Sequence, residues 1–97
     1  MDNGGWFDWD EGNEEHVLDH GVDPAEVEEA MLDPNRLKDD ARNMSGERRE
    51  ALIGATEDAR VLHVVYTRRG KEGEKMRPIT ARAADGTEKR RYRRGRR

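Results

Sequence analysis

The side chains able to move protons or hold anions fall into a few groups along this chain. His20 closes a short amphipathic stretch; an imidazole titrates near neutrality and suits acid or base work. At the C-terminal end of a helix the dipole favours its charged form, although the same position equally suits a capping histidine bonded to the last carbonyls. Arg68 and Arg82 each end a strand-like run, and guanidinium forks match phosphate oxygens. If those strand ends converge they form an anion site; otherwise each is a surface arginine paired with an acid. Glu88 and Tyr92 stand four apart, on one face of a helix. They offer a second proton carrier and a ring for stacking on a base, or, more plainly, a cap and a core anchor. His16 and His20 have the i, i+4 spacing of a zinc pair. Val17 follows His16, so HExxH is absent, and Asp19 points off that face; no metal and no cofactor is expected. His63, inside an apolar run, reads as a buried or interfacial histidine.

Charge separates the two halves. The chain has 97 residues and a net charge of −3. Residues 1–47 hold 15 acids against Arg36, Lys38 and Arg42, whereas residues 48–97 hold seven acids against 16 bases. From Lys89 onward seven of nine residues are Lys or Arg. Such asymmetry points to a basic face for nucleic acid or an acidic protein; the plainer alternative is a solvated basic tail. Apolar residues make up 32% and aromatics 5%, against 42% charged, so the core is thin for one small domain. There is no cysteine, which excludes disulfides and thiolate metal sites. No run approaches the roughly 18 apolar residues of a membrane helix, and the acidic, aromatic start is unlike a secretory signal. The expectation is a cytoplasmic protein without membrane contact.

The elements that must position these groups are legible in part. Residues 1–5 read as a disordered lead, 6–94 as one domain and 95–97 as a basic tail. Trp6, Phe7 and Trp9 lie in a short extended run that anchors an edge strand on the core. Asp10 suits the N-cap of a first helix, with Val17 and Leu18 inward and Gly21 at its C′ position. Asp23, Pro24 and Glu26 form an aspartate capping box for a second helix, with Val22 and Val27 as its staple. Val27, Ala30 and Met31 repeat on one buried face, and Pro34 ends the helix. A short, weak strand is expected at Arg36–Asp39, then a polar loop through Ser45-Gly46. Strands follow at Glu50–Thr56 and Arg60–Arg68, joined by a turn at Glu57-Asp58-Ala59. The run from Val61 to Tyr66 is apolar on both faces and marks the most central strand. A mobile loop over Arg69–Glu74 leads to a strand at Lys75–Arg82, with Ile79 and Ala81 sharing a face. Pro78 requires an edge or a bulge there. Asp85 to Glu88 starts a last helix that carries Tyr92. The fold class is α+β: a short β strand, two N-terminal helices, an antiparallel β-sheet of about four strands and a C-terminal helix.

Several small signatures occur in a fixed order. Trp9-Asp10-Glu11-Gly12-Asn13 opens the set and His20-Gly21-Val22 follows. Tyr66-Thr67-Arg68 ends one strand, Ile79-Thr80-Ala81-Arg82 runs along another, and Glu88 and Tyr92 close it. In that order and spacing they resemble the BrnT family of bacterial toxins over residues 6–94. The resemblance implies a RelE-like fold, endoribonuclease activity on RNA, growth inhibition, and neutralisation by a cognate BrnA-like antitoxin through which any oligomer would form. Cleaving RNA without a metal needs a base for the 2′-OH, cations for the dianionic phosphorane and an acid for the leaving 5′-oxygen. On this reading His20, Arg68, Arg82 and Glu88 are the catalytic candidates. Arg77, Lys89, Arg90, Arg91, Tyr92 and Arg93 are the RNA-binding candidates. The family commonly has Lys where this chain has Gly12 or Asn13, a basic residue where it has Asp19, and Ile or Val in place of Pro78. Those departures, with the acidic N-terminal half, carry the alternative of a catalytically inactive member that binds nucleic acid or protein.

Overall fold

A computed structural model describes residues 5–44 and 47–95. Residues 1–4 of the expected 1–5 lead, the loop at Ser45-Gly46 and residues 96–97 of the expected 95–97 tail lie outside the described residues.

Helix α1 spans Glu11–Asp19. Its start is a reciprocal box: Asn13 N–H donates to Asp10 Oδ1 at 3.1 Å, and Asp10 N–H donates to Asn13 Oδ1 at 2.8 Å. These bonds satisfy two backbone donors that the first helical turn leaves without partners. Asn13 Nδ2 also donates to the carbonyls of Asp8 and Pro78, so one buried amide ties the helix to the sheet. Asn13 and Val17, four apart, make the buried face. Leu18 is about 100° further round the helix and stands half exposed, contrary to the inward position expected for it. Gly21 ends the helix at φ +77°, a left-handed conformation that costs glycine little.

Helix α2 spans Pro24–Met31, with the Asp23–Glu26 capping box and Pro24 in its first turn as read from the sequence. Val22, Val27, Ala30 and Met31 are all buried.

Four antiparallel strands follow in the order β1-β2-β3-β4, each beside its sequence neighbour. They are β1 Leu37–Met44, β2 Glu47–Ala55, β3 Val61–Arg69 and β4 Lys75–Ala83. Strand β1 is twice the expected length, and β2 begins three residues early. Apolar alternation marks only the inner end of this hairpin, where Leu37 pairs with Ile53. Backbone bonding carries the ladder on through polar residues to the Met44–Glu47 pair. The β2–β3 turn includes Ala59 at φ +65°, and Gly70 and Gly73 take positive φ in the β3–β4 loop.

Pro78 meets both conditions set for it: β4 is an edge strand, and the ladder is bulged so that Tyr66 pairs with Pro78 while Val65 pairs with Thr80. The bulge leaves Ile79 opposite no partner. It puts Pro78 and Ala81 in the core, with Ile79 only half-buried; the expected pairing of Ile79 with Ala81 on one face assumed an unbroken ladder. The extended run before α1 lies along this edge, with Met76 N–H donating to Trp6 O and Asp8 N–H to Met76 O. Adjacent residues of an extended run point opposite ways. Phe7 is therefore buried while Trp6 is exposed and anchors nothing; Trp9 packs partly on the core.

The core lies between α1–α2 and one sheet face, joining Val17, Val27 and Met31 to Leu52, Leu62, Val64 and Tyr66. Gly54 allows the closest approach: a Cβ there would sit 2.2 Å from the carbonyl oxygen of Ala30. Helix α3, Gly86–Gly95, crosses the opposite face, touching residues of β1, β3 and β4 through the ion pairs described next. Its anchor is Tyr92, buried and donating its hydroxyl to Asp33.

Candidate active site

Along β3, Leu62, Val64 and Tyr66 face the core, so alternation turns His63 to the α3 side. The β2–β3 and β3–β4 registers place Ile53 and Arg82 on either side of it. Asp39, on β1, pairs with Ala51 of β2, two residues before Ile53, and so shares this face. Helix α3 brings Glu88 and Arg91 down onto it.

The result is an ionised cluster around one imidazole. His63 Nε2 lies 3.1 Å from Asp39 Oδ2 and 3.9 Å from Glu88 Oε2. Arg82 grips Glu88 through two bonds of 2.8 Å, one from each terminal nitrogen. Arg91 Nη1 donates to Asp39 Oδ1 at 3.0 Å. Two carboxylates and two guanidiniums balance around the imidazole of His63. The carboxylate side chains are 16% and 12% exposed and that of His63 14%, against 46% and 42% for Arg82 and Arg91. The acids are thus covered, and both guanidiniums reach solvent.

Glu88 owes its position to two local devices. With Asp85 it forms the capping box of α3: Glu88 N–H donates to Asp85 Oδ1 at 2.8 Å and Asp85 N–H to Glu88 Oε1 at 2.9 Å. The bidentate bond from Arg82, ahead of the backbone N–H of Asp85, holds its carboxyl down at about 2. A carboxylate so stabilised is a weak base at neutral pH. Its part is to aim Arg82 and to face the imidazole with negative charge. The guanidinium of Arg82 is correspondingly held in its charged form, chiefly by the bond to Glu88.

The sequence candidates divide between this cluster and other places. Arg82, Glu88 and Arg91 meet in it. Arg68 does not: C-terminal ends of neighbouring antiparallel strands lie at opposite ends of the ladder. Arg82 pairs with His63, while Arg68 pairs with Met76 five residues further along β3. Arg68 instead bonds Glu50 at 2.8 Å and lies over the ring of Tyr66. The Arg68 bond draws Glu50 below its ordinary value against the opposing effect of burial. His20 is the exposed C-cap of α1, its ring 4.9 Å from that of His16. Among the described residues no contact joins His20 to Arg82 or Glu88. Arg77 clamps the extended lead, 2.9 Å from Asp10 and 3.5 Å from Asp8. Tyr92 is buried, so its ring offers no face to a base. Lys89, Arg90 and Arg93 are exposed on α3, beside the cluster's helix residues.

Asp39 and His63 were not among the sequence candidates. They come from different strands, 24 residues apart, and no spacing rule joins them. The one available signal was a histidine in the strand paired with that of Arg82. Asp39, His63 and Glu88 also place three ligand-type atoms within 4.8 Å of one another. Both carboxylates already carry a guanidinium, which a divalent ion would have to displace.

A family model described as the ribonuclease toxin BrnT of type II toxin–antitoxin systems matches residues 9–88. The chain belongs to that family. The match reaches from Trp9 to Glu88 and takes in four of the five cluster residues: Asp39, His63, Arg82 and Glu88. No curated protein matches the chain. Among the described residues no helix is long and apolar enough to cross a membrane.

Proposed function

We propose that this BrnT-family chain is a metal-independent endoribonuclease that cleaves RNA by 2′-OH attack, on a RelE-like fold, and is neutralised by a BrnA-like antitoxin. The observation that carries the reading is the imidazole held between Asp39 and Glu88, with two solvent-reaching arginines at its flanks. Phosphoryl transfer needs cations where charge develops and a side chain suited to proton exchange at neutral pH; the cluster holds both. Arg82 and Arg91 bind the non-bridging oxygens of the scissile phosphate. His63 takes the 2′-OH proton, and the 2′-oxygen attacks phosphorus as the bond to the 5′-oxygen breaks. The 5′-oxygen takes a proton from water, and the imidazolium returns its own proton to solvent. The products are a 2′,3′-cyclic phosphate and a free 5′-hydroxyl. Asp39, 3.1 Å from Nε2, orients the imidazole. Lys89, Arg90 and Arg93 extend the cationic track along the RNA backbone.

A second reading has its own observation: Arg82 and Glu88 satisfy each other in a geometry that also serves structure, as in a catalytically inactive binding module. One experiment separates the two. The purified chain is incubated with mixed-sequence RNA in EDTA and the new ends are identified. Cyclic phosphate ends that vanish in both His63→Ala and Arg82→Ala support the nuclease. Binding without cleavage favours the module, and cleavage that survives both substitutions removes the cluster from the chemistry.

A further inference from the structure

The other side of the molecule carries a surface that the RNA reading does not use. Residues 8–33 hold eleven Asp and Glu and no Lys or Arg, and they form α1, α2 and the segments beside them. Two clefts of about 570 and 500 Å³ flank α2, sharing Ala25 and Glu28 in their walls. The first is lined by Leu32, Pro34 and Ala55 with Glu29 and Glu57 at hand; the second by Phe7 and Trp9 with Asp8 and Glu14. Among the described residues the exposed large apolar side chains are Trp6, Leu18 and Leu32. Leu18 and Leu32 belong to this acidic segment, and Trp6 stands two residues before it. An apolar floor beneath carboxylates is a poor seat for RNA, whose phosphates the acids repel.

We infer that the clefts beside α2 dock a cationic segment of a partner protein, with apolar side chains entering the clefts and Arg or Lys meeting the acidic rim. A second copy of this chain is a weaker match. Its basic helix α3 presents Lys89, Arg90, Arg93 and Arg94 outward, while its large apolar residue, Tyr92, is buried in its own fold. It would supply the charge without the anchor. In the toxin reading the partner is the antitoxin, and the proposal rests on that reading for the partner's identity. The segment would sit on the α1–α2 side of the sheet, leaving the His63 cluster uncovered by this contact.

The probe is a short helical peptide with leucines and arginines on one face, compared with a counterpart in which each leucine is serine. Binding to the full chain is read from Trp9 fluorescence in a Trp6→Phe background, since Trp9 lines the second cleft and donates to Glu28 at 2.8 Å. The leucine peptide is expected to bind about tenfold more tightly, the worth of one modest apolar anchor. Leu32→Ser and Glu28→Gln should each weaken it several-fold, and Lys89→Ala should leave it unchanged. Equal affinity for both peptides, or indifference to Leu32→Ser, overturns the proposal. Self-association in sedimentation that Lys89→Ala and Arg93→Ala abolish also overturns it, assigning the surface to a second copy. Failure of the RNA assay would remove the nuclease reading and leave these peptide readouts standing.

Discussion

On the α1–α2 side of the sheet, a continuous apolar core is wrapped in carboxylates; on the α3 side, a ten-residue helix with five Lys and Arg lies over an ionised cluster. The first side is held by burial, at about 25 cal/mol for each Å² of apolar surface removed from water. The second has one large apolar anchor on its helix, Tyr92, and is otherwise held by paired charges and one capping box. Exposed pairs contribute little to stability. The α3 side therefore owes its geometry to direction, with bidentate and capping bonds, more than to strength. A reaction site can bear that trade, because aimed guanidiniums and a covered imidazole matter there more than stability does.

The comparison can be broken at either face. Arg82→Ala should have the largest effect, on the α3 side: it removes both bonds to Glu88 and, in the proposed mechanism, one phosphate ligand. Cleavage should fall by about 100-fold or more, with the fold retained by circular dichroism. Gly54→Ala tests the other side. Its Cβ would stand 2.2 Å from the Ala30 carbonyl oxygen, so α2 must shift, at a cost of about 3 kcal/mol in urea denaturation. Equal stability of Gly54→Ala and the parent would mean that α2 is not seated as described.

A pH titration sharpens the contrast. Glu88 is depressed in the folded chain to about 2 from 4.5, first through its bond to Arg82. Its contribution is fully present above the unfolded value and is lost as pH falls through the folded one. That loss should amount to about 2 kcal/mol, discounted because Arg82 is half exposed. Arg82→Ala should flatten stability across this acid window, while Glu28→Gln should not.

Smaller effects concern the cationic track. Lys89→Ala and Arg93→Ala should each weaken RNA binding and lower the slope of log affinity against log salt by about 1. Unchanged slopes would take α3 out of the phosphate contact. His20→Ala and Arg68→Ala should leave cleavage at the parent rate; a loss in either would move the chemistry from the α3 face to α1 or to the far end of β3.

The helices were the most readable elements because their signals are local. Asp10, Asp23 and Asp85 cap through bonds to residues two or three positions away, so the spacing alone carries them. Pro78 was similarly legible, since a residue without an N–H has few places in a sheet. Leu18 and Trp6 were misplaced because their apolar character does not reveal which way the chain turns them. Asp33 shows what local pattern leaves out. It follows the end of α2, yet one of its oxygens accepts from Ala55 N–H on β2 and from the Tyr92 hydroxyl on α3. Nothing near residue 33 signals either partner.

The sequence by itself determined the division of charge, the capped helices, the confinement of Pro78 to an edge or a bulge and the order of motifs by which the family is recognised. These rest on residue type and short spacing, which bonds within a turn or a single strand enforce. Only the tertiary structure decided which histidine meets Arg82. Antiparallel pairing sends Arg68 to the far end of the ladder, and α1 carries His20 away from Glu88. The β1-β2-β3-β4 register, crossed by α3, collects Asp39, His63, Arg82, Glu88 and Arg91 from positions up to 52 residues apart. Such a site exists only once the sheet has set its register, because one residue of slip would turn every one of its strand side chains to the other face.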